Sequence, residues 1–212
     1  MKLVILKALG VVFLLFLAVY LPTFFVVSLI RPRAQVAIPL VIGLSLTIAF
    51  LVVCLSSRAD GLSRFGFQLS SGHFTWIAVA LAVPTGLALT FLVSRFPQAN
   101  PLGDVSLRPW MVFLYFIVGS PIQEEVIFRG LLQSTLARSV GLSLPVFGTS
   151  VSFAVLAVAA LFGLIHLAVG IATAIAAFVL GILAGELRRR SSSLIPAIIL
   201  HAIFNAFSAI WS

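Results

Sequence analysis

Residues 3–30 read LVILKALGVVFLLFLAVYLPTFFVVSLI, twenty-eight positions whose only charge is Lys7. A helix needs about 20 mostly apolar residues to cross the hydrocarbon core of a bilayer, and this run exceeds that length. Met1-Lys2 through Lys7 followed by an apolar stretch is reminiscent of a secretory signal. However, the stretch continues past the ~7–15 residues of a signal core, and no small-x-small cleavage site closes it. It is therefore expected to be a retained first membrane span.

The rest of the chain follows the same pattern. Of 212 residues, 62% are hydrophobic and 8% charged, whereas a soluble domain carries roughly 25% charged residues. Too few polar side chains are present to cover a water-facing surface, so lipid is the expected solvent and a membrane partner. Further apolar runs cover Val36–Leu55, Phe74–Val93, Pro109–Leu136, Phe147–Leu167, Ile171–Leu187 and Leu194–Trp211. The expected fold is all-α, a polytopic transmembrane helix bundle of about seven (six to eight) spans in a single domain over residues 1–212. Unpaired backbone groups facing lipid cost several kcal/mol each, which forces the spans to be helical.

A net charge of +8 raises the question of nucleic acid. The thirteen Lys and Arg are dispersed over short connectors rather than forming a basic face, so no nucleic-acid partner is expected. They act instead as topology signals. Lys2, Lys7, Arg58, Arg64, Arg138, Arg188, Arg189 and Arg190 fall on the N-terminal side, against Arg31, Arg33, Arg95 and Arg108 opposite. This asymmetry predicts a cytoplasmic N-terminus in a multi-pass integral membrane protein. The lone Cys54 rules out an internal disulfide.

The polar residues that do not belong in lipid indicate chemistry. Of five acids, Asp60 and Asp104 fall in connectors, and Glu186 abuts the Arg188–Arg190 run, where pairing and solvation are expected. Glu124, Glu125 and Arg129 remain inside the fourth run. Insertion scales charge about 2.5–3.5 kcal/mol for Asp or Arg at a helix centre, so such groups face a bundle interior and mark function. Glu125 and Arg129 are spaced i,i+4 in the favourable acid-before-base order, which predicts a structural ion pair. Glu124 points about 100° away and is left for chemistry. Pro121 just upstream removes a helical hydrogen bond and is expected to kink the span beside the pair. His166 ends the fifth run with Phe162 one turn earlier, and His201 and Asn205 share one face of the last. Alone, either His or Asn205 reads as an interhelical hydrogen bond, and Gly181 with Gly185 as close helix packing. Taken together, the set leaves Glu124 unpartnered by any structural account.

Glu124-Glu125-Val126-Ile127-Phe128-Arg129 has the pattern E-E-x-x-x-R, Phe162 to His166 the pattern F-x-x-x-H, and His201 to Asn205 the pattern H-x-x-x-N. In that order they resemble the three motifs of the CAAX protease and bacteriocin-processing (CPBP) family, also called Abi or type II CAAX prenyl endopeptidase-like. Each motif alone is weak; the ordered set on expected spans is specific. It covers residues 124–205, and the first three spans resemble the family only in being hydrophobic helices. The resemblance implies an intramembrane endopeptidase of a prokaryotic cell membrane acting on a peptide or lipidated-protein substrate, whether prenylated CaaX-type or bacteriocin-type. It implies Glu124 as the base for water with His166 assisting, His201 and Asn205 as oxyanion donors, and Glu125, Arg129 and Phe162 in support.

The cofactor is left unknown. Glu124, His166 and His201 would make a two-His, one-carboxylate set of the kind that holds zinc, yet they equally serve a metal-free, glutamate-activated water, the preferred expectation. The zinc-protease pattern H-E-x-x-H is absent. A non-catalytic transporter or peptide-binding immunity protein could use the same polar site, since buried carboxylates and histidines also relay protons. A serine protease is disfavoured without G-x-S-x-G and with no sequence neighbour to activate Ser120. An aspartyl protease is excluded by the placing of Asp60 and Asp104.

Overall fold

The computed structural model describes residues 1–30, 33–57, 61–99, 107–146 and 149–211. Seven helices follow in chain order: α1 (Lys2–Ile30), α2 (Ala34–Ser56), α3 (Gly72–Ser94), α4 (Pro109–Ser139), α5 (Phe153–Ile165), α6 (Ile171–Ser191) and α7 (Ile195–Trp211). The expected all-α bundle is what the chain forms. Five of these helices, α1 to α4 and α6, are long and apolar enough to cross a membrane. Arg31, Arg58, Asp60, Asp104 and Phe147 lie outside the described residues.

The fifth helix departs from expectation. It begins at Phe153 rather than Phe147, because Ser143–Val146 and Thr149–Ser152 pair as an antiparallel hairpin with Ser143 opposite Ser152. The Ser and β-branched residues before Phe153 favour extended backbone. The Ser152 hydroxyl then accepts the Ala154 N–H and caps the helix start. Thirteen residues reach only about 20 Å, short of the ~30 Å hydrocarbon core, so α5 ends inside the bundle. His166 follows at that end, in a 3-10 turn over His166–Ala168, and lines the same cavity as Glu124.

Helix α4 is the axis of the fold and packs against α1, α2, α5, α6 and α7. Residues Val126–Gln133 are buried without exception, so the run carrying Glu125 and Arg129 faces protein all round. Helices α3 and α7 run parallel, with Thr90 and Ser208 meeting near their C-terminal ends at 3.4 Å. Helices α5 and α6 form an antiparallel pair held close by glycine. A Cβ on Gly181 would stand 2.9 Å from the Ala159 Cβ, and one on Gly185 2.9 Å from Val155 Cγ1. Packing of this kind, through small residues and backbone proximity, is how apolar helices associate where lipid is as apolar as the side chains.

Gly181→Val should therefore lower stability by about 1–3 kcal/mol through overpacking, seen as a reduced thermal midpoint in detergent. Gly43→Val, where an added Cβ meets nothing within 4 Å, is the control and should shift it little. Equal effects at both positions would contradict the close-packing account.

Helix α6 also runs further than expected, to Ser191, so Arg188, Arg189 and Arg190 occupy its last turn rather than a connector. Glu186 pairs with Arg189 at 2.7 Å and Arg190 at 3.2 Å. Arg188 instead turns inward and is 8% exposed.

Candidate active site

Two irregular stretches of α4 build the site. Over Phe113–Gly119 and again over Val126–Gln133 the helix widens to π geometry, a form frequent at functional sites. The first has a visible cause. The Ser120 N–H reaches back five residues to Tyr115 O, and the next donor in that register, at Pro121, does not exist. Phe116 O is thereby released from the helix ladder, and the Asn205 Nδ2 donates to it at 2.8 Å. Pro121 thus supplies a freed carbonyl that anchors the site asparagine. The second amide hydrogen of Asn205 is uncommitted by this bond.

The two adjacent carboxylates flank one imidazole. His201 Nδ1 donates to Glu125 Oε1 at 2.8 Å, and His201 Nε2 lies 3.8 Å from Glu124 Oε2. Because a carboxylate oxygen can only accept here, Nδ1 carries a hydrogen. Glu125 Oε1 also contacts Arg129 Nη1 at 3.1 Å, with both side chains almost wholly buried. The i,i+4 ion pair read from spacing is present, and Glu125 additionally orients His201, a link invisible in sequence. The Arg129 guanidinium lies 4.6 Å from the Phe162 ring centroid, a cation–π contact of the kind that strengthens on desolvation. Phe162 itself is edge-on to both histidines, at 4.7 Å from His166 and 5.8 Å from His201.

Glu124 stands apart from this network. Its Oε1 accepts a short hydrogen bond from the Ser120 hydroxyl, one turn earlier. Its Oε2 is buried and has no hydrogen-bond partner among the described residues. His166 Nδ1 is 2.7 Å from Phe162 O. A carbonyl cannot donate, so that nitrogen holds the hydrogen, and Nε2 is the ring atom left for chemistry.

Glu124, His166, His201 and Asn205 all line one cavity of about 810 Å³, together with Ser120 and Phe162. Glu125 and Arg129 lie behind it. Thr90, Ser94, Gln98 and Thr173 add polar groups among apolar walls, the composition expected of a binding pocket. The cavity occupies the half of the bundle where α3, α5 and α7 end and α4 and α6 begin, the end opposite the N-terminus. Among the described residues, no three His, Cys, Asp or Glu are gathered closely enough to hold a metal ion. Histidine Nδ1 atoms are committed to Glu125 and Phe162 O, leaving Glu124 Oε2 and the two Nε2 atoms as the donors nearest that role.

Sequence reasoning missed Ser120, Phe116 and the Tyr20–Gln123 bond. In the last, Gln123 Nε2 donates to the Tyr20 hydroxyl at 3.2 Å and ties α1 to the site helix. Ser120 was within reach of an i,i+4 reading with Glu124. The other two depend on tertiary placement.

Comparison with known proteins bears on this segment. Residues 106–207, from just before α4 into α7, match the family model described as Type II CAAX prenyl endopeptidase Rce1-like. No curated protein and no solved structure matches the chain. The matched segment contains all three motifs, and the first three helices lie outside it.

Proposed function

We propose that this chain, whose residues 106–207 match the Rce1-like type II CAAX prenyl endopeptidase model, is an endopeptidase of that family and hydrolyses a peptide bond inside the membrane with water activated by Glu124. The observation that carries the proposal is the asymmetry of Glu124. One carboxylate oxygen is fixed by Ser120, and the other is buried without a hydrogen-bond partner among the described residues, on a side chain that lines a cavity shared with His166, His201 and Asn205.

In this reading Glu124 Oε2 takes a proton from water as its oxygen forms a bond to the scissile carbonyl carbon. The developing oxyanion is met by the free amide hydrogen of Asn205 and by His201 Nε2–H. Since Nδ1–H is held by Glu125, the second role requires His201 as imidazolium. The C–N bond then breaks, and the proton held by Glu124 passes to the leaving amine. The His166 Nε2 lone pair assists the first proton transfer. Preorganised donors of this kind are typically worth about 10²–10³ in rate each. The proposal is for a metal-free site, and chelation tests it.

The test is a panel of prenylated, unmodified and leader-type peptides incubated with purified protein, with and without chelator. Cleavage that survives chelation and disappears in His166→Ala fits the proposal. Chelator-sensitive cleavage would overturn the metal-free part. Peptide binding with no cleavage of any substrate would favour the immunity-type reading.

Orientation refines the substrate. With a cytoplasmic N-terminus, as the basic residues favour, the cavity opens toward the extracytoplasmic half, in a prokaryotic cell membrane. In a Cys54→Ser background, Gln98→Cys at the cavity mouth should react with a membrane-impermeant maleimide on intact cells. Ser139→Cys, at the far end of α4, should react only after lysis. The reverse pattern would place the site on the cytoplasmic side.

A further inference from the structure

A second cavity, of about 590 Å³, lies at the other end of the bundle and is lined by Arg64, Arg138, Arg188 and Arg189 with Gln133 and Ser134. We propose that it binds a phosphate-bearing anion, supplied either as the headgroup of an acidic phospholipid or as free phosphate.

Arg188 is the centre of the argument. It is 8% exposed, and Nη2 donates to Arg64 O at 2.9 Å and to Ser134 Oγ at 3.2 Å. Its Nε is buried without a hydrogen-bond partner, and no carboxylate pairs with it among the described residues. A buried cation lacking an acid is costly, and a buried polar atom lacking a partner calls for one. The nearest acid on the helix, Glu186, is already shared by Arg189 and Arg190.

The walls are built rather than incidental. The 3-10 turn Leu62–Phe65 and the residues after it are pinned to the α6–α7 turn, with Leu194 N–H donating to Gly66 O at 3.0 Å and Ser193 Oγ to Gln68 O at 2.6 Å. A Cβ at Gly66, whose φ is +90°, would collide with the Arg188 guanidinium. The loop thus passes over Arg188 only because residue 66 is glycine. The guanidinium of Arg138 is steadied 4.7 Å from the buried Phe65 ring.

Basic residues at helix C-termini ordinarily balance the helix dipole and set topology. That accounts for Arg138, Arg189 and Arg190 at exposed positions. It does not account for an inward Arg188 or for four arginines on one cavity. Guanidinium forks suit the oxygens of phosphate better than a compact point charge does. Arg64, Arg138, Arg188 and Arg189 lie at helix ends on one side of the bundle. There, basic pockets between transmembrane helices meet acidic headgroups.

The test measures retention of phosphatidylglycerol and phosphatidylcholine by the purified full chain in native mass spectrometry, with inorganic phosphate as competitor. Wild type should hold phosphatidylglycerol about ten-fold more tightly than phosphatidylcholine, a preference largely lost in Arg188→Gln and Arg138→Gln. Arg95→Gln, which removes the same charge at the opposite end of α3, should keep it. Displacement by inorganic phosphate would mark the free anion as a competent source, and its failure would mark the lipid headgroup. Should Arg188→Gln not fold, Arg138→Gln on the exposed rim gives the answer. Equal retention of both lipids by wild type with no phosphate binding, or wild-type retention in the folded variants, would overturn the site.

Discussion

Glu124→Gln should reduce peptide cleavage by about 10²–10⁴-fold, the range that removal of a positioned general base produces, while the protein keeps its thermal midpoint. Both halves follow from the same contacts. Glutamine preserves shape and retains an oxygen at the position where Ser120 donates. Among the described residues Glu124 has no Arg or Lys partner, its side chain is 16% exposed, and its one ionic neighbour, His201 Nε2, lies 3.8 Å away, beyond hydrogen-bond distance, so losing its charge should cost little stability. What glutamine cannot do is accept a proton from water. Glu125→Gln is a different experiment, because it also weakens the contacts to Arg129 and His201. The measurement is initial cleavage rate on the best peptide of the panel, paired with a melting curve in the same detergent. Wild-type turnover in a folded Glu124→Gln protein would remove Glu124 from the mechanism.

The sequence and the structure agree where composition and helical period decide, and part where tertiary contacts do. Apolar run length set the helix count, because lipid leaves the backbone no other way to satisfy its hydrogen bonds. The i,i+4 spacing of Glu125 and Arg129 and the shared face of His201 and Asn205 follow from helix geometry alone; the first two form an ion pair and the second two line one cavity. The start of α5 was misread because Thr149 to Ser152 lie within an apolar stretch, and hydropathy does not separate a hairpin from a helix. The π stretches of α4 shift the register by a residue, and only the first has a local signal, Pro121. The separation of Glu124 from Glu125 by about 100° also understated their relation, because the placing of α7 lets both carboxylates flank the one ring of His201. Arg188 shows the same limit. Its place in a basic run resembles a topology signal, and only the path of the Gly66 loop shows that it is buried.

Arg129→Met should destabilise the protein by about 3–5 kcal/mol, the cost of leaving a buried charge without its partner. Arg129 and Glu125 are 1% and 0% exposed and 3.1 Å apart, so no water can take over from the lost guanidinium. Space for the arginine is itself arranged by packing. It lies against the Phe162 ring, and a Cβ at Gly181 would come within 3.4 Å of Nη2. With Arg129 gone, Glu125 keeps only His201, and the lone carboxylate either takes up a proton or pulls the imidazole from its position. Activity should therefore fall along with stability, unlike in Glu124→Gln, where activity falls alone. The double variant Glu125→Gln with Arg129→Met removes both charges and should recover much of the lost stability without recovering cleavage, since His201 then lacks its orienting carboxylate. Denaturation in mixed micelles across the four proteins gives the coupling energy directly. Additive losses in that cycle would show that the two side chains are not a coupled pair. A double variant that cleaves at the wild-type rate would show that Glu125 does not position His201.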